Sequence, residues 1–151
     1  VEVYQYASIL NNKSEKDLIN TMLEQEKKHL QFFDEQIRSR GSRPTIMLPI
    51  WNIIGKYLGK ISAFSSSKAA MMVTESVEKV INQHYLEQIQ SLSTQSKYKK
   101  LKDKIEEFRL EELEHHDIAI DNGSREIRFY PFWNKIVETA CKIAIKISKK
   151  I

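Results

Sequence analysis

A chain of 151 residues broken by only four glycines and three prolines is long enough to bury one sizeable core, so a single domain over residues 1–151 is the expectation. Its net charge of +4 is modest, and the lysines are spread over several segments instead of forming an aromatic-interleaved stripe, which argues against nucleic acid as a partner. The single cysteine, Cys141, excludes an internal disulfide framework and a cysteine-based zinc or iron–sulfur site, and reads as a small buried apolar residue.

The chain opens on Val1 instead of Met, so the N-terminus, with any targeting segment, is expected to be missing. Residues 1–10 read as the end of a helix that Asn11-Asn12 closes. Ser14 then caps a helix, with Asp17 at the capping-box position and Gly41 after the last turn. Its inward stripe is Leu18, Met22, Glu26, His29, Phe33 and Ile37, so a carboxylate and an imidazole occupy core positions. Pro44 and Pro49 bracket a turn before an apolar helix at about 49–62, and Ser65-Ser66-Ser67 forms a polar link. The next helix, about 68–93, carries Met71, Thr74, Glu78, Ile81, Tyr85, Ile89 and Leu92 on one face. Another, about 97–121, carries Leu101, Ile105, Phe108, Glu112, His115 and Ile118 or Ala119 before Asn122-Gly123 ends it. A last helix, about 130–150, begins near Pro131 and gathers Trp133, Ile136, Val137, Ala140, Ile143, Ala144 and Ile147 on one side, opposite a lysine-rich face. No alternating run of strand length competes with these periods, and the fold class is all-α.

Glu26-x-x-His29 and Glu112-x-x-His115 repeat one pattern on two helices. At about 100° per residue, positions i and i+3 lie on one face, so each pair presents an oxygen and a nitrogen donor in one direction. Both pairs fall in apolar stripes, where an uncompensated carboxylate costs several kcal/mol. Two such helices, with one Glu from each of two partner helices, make the dimetal site of ferritin-like carboxylate proteins. Oxygen-rich ligation with one imidazole per ion suits iron or manganese, and iron if oxygen chemistry occurs. Glu26, His29, Glu78, Glu112 and His115 are the candidate ligands. The first helix should supply a matching acid, and since Glu2 stands at the very start of the chain, that acid is expected upstream of Val1. His84, six residues after Glu78 and about 120° off its face, is a candidate to support a ligand from behind. Tyr85 returns to the Glu78 face and is placed to hydrogen-bond near the metals or relay an electron. His116 points away from His115 toward acids such as Asp117, in an ordinary structural role.

Four strings carry a family likeness: Gln25-Glu26-Lys27-Lys28-His29-Leu30; Arg43-Pro44-Thr45 with Leu48-Pro49-Ile50-Trp51-Asn52; Val77-Glu78 leading to His84-Tyr85; and Phe108-Arg109-Leu110-Glu111-Glu112-Leu113-Glu114-His115-His116-Asp117. With them the chain resembles, over nearly its whole length, the demethoxyubiquinone hydroxylase family, ferritin-like di-iron monooxygenases of ubiquinone biosynthesis. The resemblance implies a ferritin-like four-helix bundle with additional apolar and amphipathic helices. It places two iron ions on Glu26, His29, Glu78, Glu112 and His115, with a first-helix Glu preceding Val1, so that the chain as it begins here is expected to bind metal poorly or lack activity. It implies hydroxylation of a polyprenyl methoxy-benzoquinol with dioxygen, electrons from a reduced nicotinamide directly or through the quinol, and accessory ubiquinone-biosynthesis proteins as partners. No Gly-rich dinucleotide fingerprint is present, so a nicotinamide contact would be transient or built differently.

A polyprenyl substrate lives in lipid, which gives the apolar segment 44–64 a purpose. No stretch reaches the roughly 18 consecutive apolar residues of a spanning helix. Trp51, Ile53, Ile54, Tyr57 and Leu58 are expected at a membrane interface, with Lys56 and Lys60 at headgroups and Lys142, Lys146, Lys149 and Lys150 on a second basic surface. Peripheral attachment to the cytoplasmic face of a bacterial membrane is expected, the matrix face of a mitochondrial inner membrane being the alternative. Another ferritin-like di-iron oxidase, peroxidase or iron-binding protein would need the metal pattern but neither the Arg-Pro-Thr and Leu-Pro-Ile-Trp-Asn segments nor an apolar entry surface. A non-catalytic helical module would need neither iron nor quinone.

Overall fold

The computed structural model describes residues 1, 13–44 and 48–150, with the side chains of all but 13–15 and 62–64. Among the described residues are the α-helices α1 (Lys13–Ser39), α2 (Leu48–Ser65), α3 (Ser67–Leu92), α4 (Lys99–Asp121) and α5 (Tyr130–Ser148), short 3₁₀ turns at Ser96–Tyr98 and Ser124–Glu126, and no strand. The protein is all-α, in keeping with a helical bundle. All but the first residue of the helix expected over residues 1–10, and its Asn11-Asn12 end, lie outside the described residues.

The helix ends follow from a few residues. Gly41 sits after α1 with φ +67°; its N–H donates to Arg38 O at 3.0 Å and that of Ser42 to Ile37 O at 3.1 Å, the paired bonds of a Schellman ending. Gly123 ends α4 with φ +83°. Ser14, expected ahead of α1, lies inside its first turn, since the helix starts at Lys13. Pro49 likewise falls within the first turn of α2, where a missing N–H costs nothing. Of the serine link only Ser66 is non-helical, and its Oγ accepts the Ala69 N–H at 3.0 Å as the N-cap of α3.

Contacts divide the chain into two compact units, Val1–Ala70 with Lys142–Ile151, and Met71–Cys141. In the first, α1 buries Ile19, Met22, Leu23 and His29, while Leu18, Phe33 and Ile37 are half-buried; Ile19 and Leu23 join the expected stripe. The Trp51 indole N–H donates to Ser148 Oγ at 2.8 Å and the ring is half-buried, so Trp51 faces protein and not the exposed side of α2. Leu58 is half-buried as well, and the exposed stripe of α2 is Ile50, Ile53, Ile54, Tyr57 and Ile61.

In the second unit α3 is buried all round from Met71 to Ser76, beyond the expected Met71 and Thr74. On α4 the buried residues are Ile105, Phe108, Glu112, His115 and Ala119; Ile118 is half-buried, and Ala119 holds the inner position. On α5 the apolar side read from the sequence is largely exposed at Trp133, Ile136, Ala140 and Ile143, and the buried residues are Val137 and Glu138. The reason is polar: Glu138 takes Lys79 at 2.7 Å and Asn134 Nδ2 at 3.1 Å, and the Ser76 hydroxyl lies 2.7 Å from Asn134 Oδ1, which turns this face of α5 toward α3. Cys141 is half-buried; burial, with help from the Glu138 charge, pushes its thiol up to about 11.

Glu75 is the most heavily tied of these groups. Its Oε1 accepts Arg125 Nε at 2.9 Å, Arg125 Nη2 at 2.9 Å and the Tyr130 hydroxyl at 2.7 Å, while Oε2 accepts the Ser124 hydroxyl. Burial raises the Glu75 carboxyl, but the bonds from Ser124, Tyr130 and Arg125 and the Arg125 charge outweigh it, leaving the group below its ordinary 4.5. Burial and the Glu75 bond push the Tyr130 phenol up to about 12.

Two outcomes are expected. Gly41→Ala meets nothing within 4 Å, so only its left-handed backbone opposes it, and urea unfolding should show a loss of about 1 kcal/mol. A carboxyl with a lowered folded-state pKa stabilises above its unfolded value and loses that contribution as pH falls through the folded one. Wild type should therefore exceed Glu75→Gln in urea midpoint at neutral pH, and the gap should close below about pH 4.5.

Candidate metal centre

Helix α3 supplies Glu78 and helix α4 supplies Glu112 and His115, all in the second unit. The Glu112–His115 pair is one turn of α4, and its placement follows from the stripe in which Phe108 and Ala119 flank it above and below. The three side chains are 2%, 1% and 1% exposed, and donor atoms from each lie within 4.8 Å of one another. His115 Nδ1 is 3.3 Å from Glu112 Oε2.

Carboxylates that approach this closely in a buried site repel unless a cation or a proton stands with them. Metal–ligand bonds of about 2.0–2.2 Å place donors on one ion about 3–4 Å apart, which suits the observed convergence. Two carboxylates and one imidazole are a donor set for iron or manganese, not for a closed thiolate site. The residues present fit a metal.

Glu26 and His29 belong to the first unit, on α1. They repeat the α4 arrangement: His29 is 3% exposed, Glu26 is half-buried, and His29 Nδ1 lies 3.9 Å from Glu26 Oε1. Tyr85 is buried on α3, two turns beyond Glu78 on the same side. His84 is half-buried, and its Nε2 is 3.2 Å from Gln88 Nε2 one turn along its own helix. His116 Nδ1 meets Asp117 Oδ1 at 2.9 Å, as its neighbour in sequence suggested.

Among the described residues two buried acids escaped the sequence reading, Glu75 and Glu138. The only sign of Glu75 was its place in the otherwise apolar and small run Ala69 to Val77, while its partners Ser124 and Arg125 come from a short turn without periodicity and Tyr130 from the first residue of α5.

Residues 1–148 match a family model described as Ubiquinone biosynthesis protein COQ7. The chain belongs to this family. Among its relatives are NADPH-dependent 3-demethoxyubiquinone 3-hydroxylase, mitochondrial, of Homo sapiens, 36% identical over 95% of this chain and 67% of that protein, and the protein of the same name of Dictyostelium discoideum, 39% identical over 95% and 67%. The 3-demethoxyubiquinol 3-hydroxylase of Rhodospirillum rubrum is 35% identical over 100% of this chain and 71% of its own length.

Proposed function

We propose that this protein is a monooxygenase of ubiquinone biosynthesis that hydroxylates the ring of a polyprenyl methoxy-benzoquinol, demethoxyubiquinol, with dioxygen. The observation that carries the reading is the convergence of buried Glu78, Glu112 and His115 within 4.8 Å in a chain of a family whose relatives are named as hydroxylases of this ring. The ligand set proposed is Glu26, His29, Glu78, Glu112 and His115, the α1 pair entering because it repeats the α4 pair in spacing and in the closeness of its imidazole to its carboxylate. On this reading both compact units belong to a single ferritin-like domain, 1–151, with two irons.

Iron held by these residues supplies the dioxygen chemistry that ring hydroxylation requires. The chain does the rest. Glu26, Glu78 and Glu112 provide the negative charge that makes a buried divalent cation favourable, and His29 and His115 add neutral nitrogen donors. Ile105, Phe108 and Ala119 keep water from the α4 side of the site. Tyr85 is the buried phenol on the Glu78 side and the side chain we assign to hydrogen bonding or electron relay beside the centre; His84, paired with Gln88, acts further out. Electrons come from a reduced nicotinamide, in line with the name of the human relative.

The same reading places the protein on a membrane. No helix among the described residues is long and apolar enough to cross one. Helix α2 instead exposes Ile50, Ile53, Ile54, Tyr57 and Ile61 along one side, with Lys56 and Lys60 lining a shallow groove beside Ile53 and Tyr57, and it contains no acidic residue. Phe129, Phe132, Trp133, Ile136 and Ile143 form a second exposed apolar line along α5 and its approach. Our first placement is the cytoplasmic face of a bacterial membrane, the matrix face being the second because the human and Dictyostelium relatives are named mitochondrial.

Two experiments follow. In the intact protein Glu112→Ala should lose bound iron and lower formation of ¹⁸O-labelled quinol from ¹⁸O₂ by at least about a hundredfold; wild-type stoichiometry and turnover in that variant would falsify the assignment. Wild type should float with anionic liposomes at low salt, and the double variant Ile53→Asp with Ile54→Asp should stay at the bottom of the gradient. Equal flotation of the two would remove α2 as the attachment surface.

A further inference from the structure

The ligand-bearing helices α3 and α4 are pinned to each other on both sides of Glu78. One turn before it, Glu75 on α3 grips Ser124 and Arg125, which follow directly on the end of α4, and Tyr130 at the start of α5. One turn after it, Asn82 on α3 accepts Arg109 Nη1 of α4 at 3.1 Å, while Glu106 holds the same guanidinium through Nε at 2.8 Å. The Glu75 tie is the stronger, since it is charged, takes two guanidinium nitrogens of Arg125 on Oε1 and is 2% exposed.

Stability alone does not account for it. A buried ion pair is often replaceable by apolar residues of similar volume at little or no loss, because desolvation consumes much of the attraction. What an apolar side chain lacks is direction. Four donors around one carboxylate fix its position to within hydrogen-bond tolerance, and Glu75 and Glu78 are separated by a single turn of rigid helix. Ligand sites demand comparable tolerance, about 0.2 Å in bond length. The loop that supplies the donors is itself held under strain: Phe129 has φ +60°, a left-handed backbone rare for a bulky residue, with its ring 63% exposed and Tyr130 beside it anchored on Glu75.

We propose that Glu75 is a positioning residue for the metal centre: clamped by Ser124, Arg125 and Tyr130, it sets the axial register of α3 against α4 and thereby where the Glu78 carboxylate stands relative to Glu112 and His115. The inference rests on the metal reading above and extends it to a group that touches no ligand atom in that role. A slide of α3 along α4 displaces Glu78 from the other donors; the clamp opposes that slide where packing of the methionine and valine side chains of α3 resists it only weakly.

The test uses Co²⁺ alone, added anaerobically to the intact metal-free protein and read by its visible bands, with helical circular dichroism and melting as controls on folding. Glu75→Leu removes the clamp and keeps the site apolar; it should fold, bind Co²⁺ at least about tenfold more weakly, and show shifted bands, with Glu75→Gln between it and wild type. Val137→Ala, a core truncation on α5, should lower the melting temperature and leave the bands unchanged. Wild-type affinity and bands in Glu75→Leu overturn the proposal, as do equal spectral changes in Glu75→Leu and Val137→Ala. If Glu75→Leu does not fold, Tyr130→Phe, which deletes one bond of the clamp, decides it: shifted bands support the positioning role and unchanged bands overturn it. An unsubstituted protein that binds no Co²⁺ contradicts the metal reading itself, and the clamp then has no centre to position.

Discussion

The constraint on which the rest of the second unit depends is the burial of Glu78, Glu112 and His115 at 1–2% exposure with their donor atoms within 4.8 Å. Negative charge at that depth is unfavourable by several kcal/mol per group unless a cation accompanies it. The cation proposed for the site would offset that cost, and the apolar stripes of α3 and α4 provide the geometry. Phe108 and Ala119 place the Glu112–His115 turn; Met71, Thr74 and Tyr85 place Glu78.

Apolar packing does not by itself fix such a site, because stripes of methionine, valine and isoleucine tolerate small slides. Directional bonds do. Polar ties along α3, at Glu75, Ser76, Lys79 and Asn82, reach the loop after α4, helix α5 and helix α4. They explain why α5 turns Glu138 and Val137 inward and leaves Trp133, Ile136 and Ile143 exposed. The exposed apolar lines of α2 and α5 are the surfaces proposed to meet lipid.

Much of this was legible in the sequence because the candidate ligands replaced core residues inside regular helical periods. Glu78 on α3 and Glu112 and His115 on α4 fall where a leucine would otherwise stand, and periodicity alone places them inside. Gly41 and Gly123 marked helix ends because both take a left-handed backbone. Legibility failed where partners are distant in sequence and aperiodic. Nothing in the string Asn122 to Tyr130 says that Ser124, Arg125 and Tyr130 converge on Glu75. Hydrophobicity likewise misplaced Trp51, whose indole N–H is satisfied by Ser148, and the apolar side of α5, where a few polar bonds outweighed the larger side chains in deciding which face is buried.

The most direct test of the account is X-ray absorption on the intact protein loaded anaerobically with iron. The account predicts about two irons per chain, each with mainly oxygen donors and about one imidazole, and a metal–metal scattering path of about 3.5–4 Å or less. A single iron, or iron bound only through exposed surface carboxylates with no imidazole scattering, would contradict it.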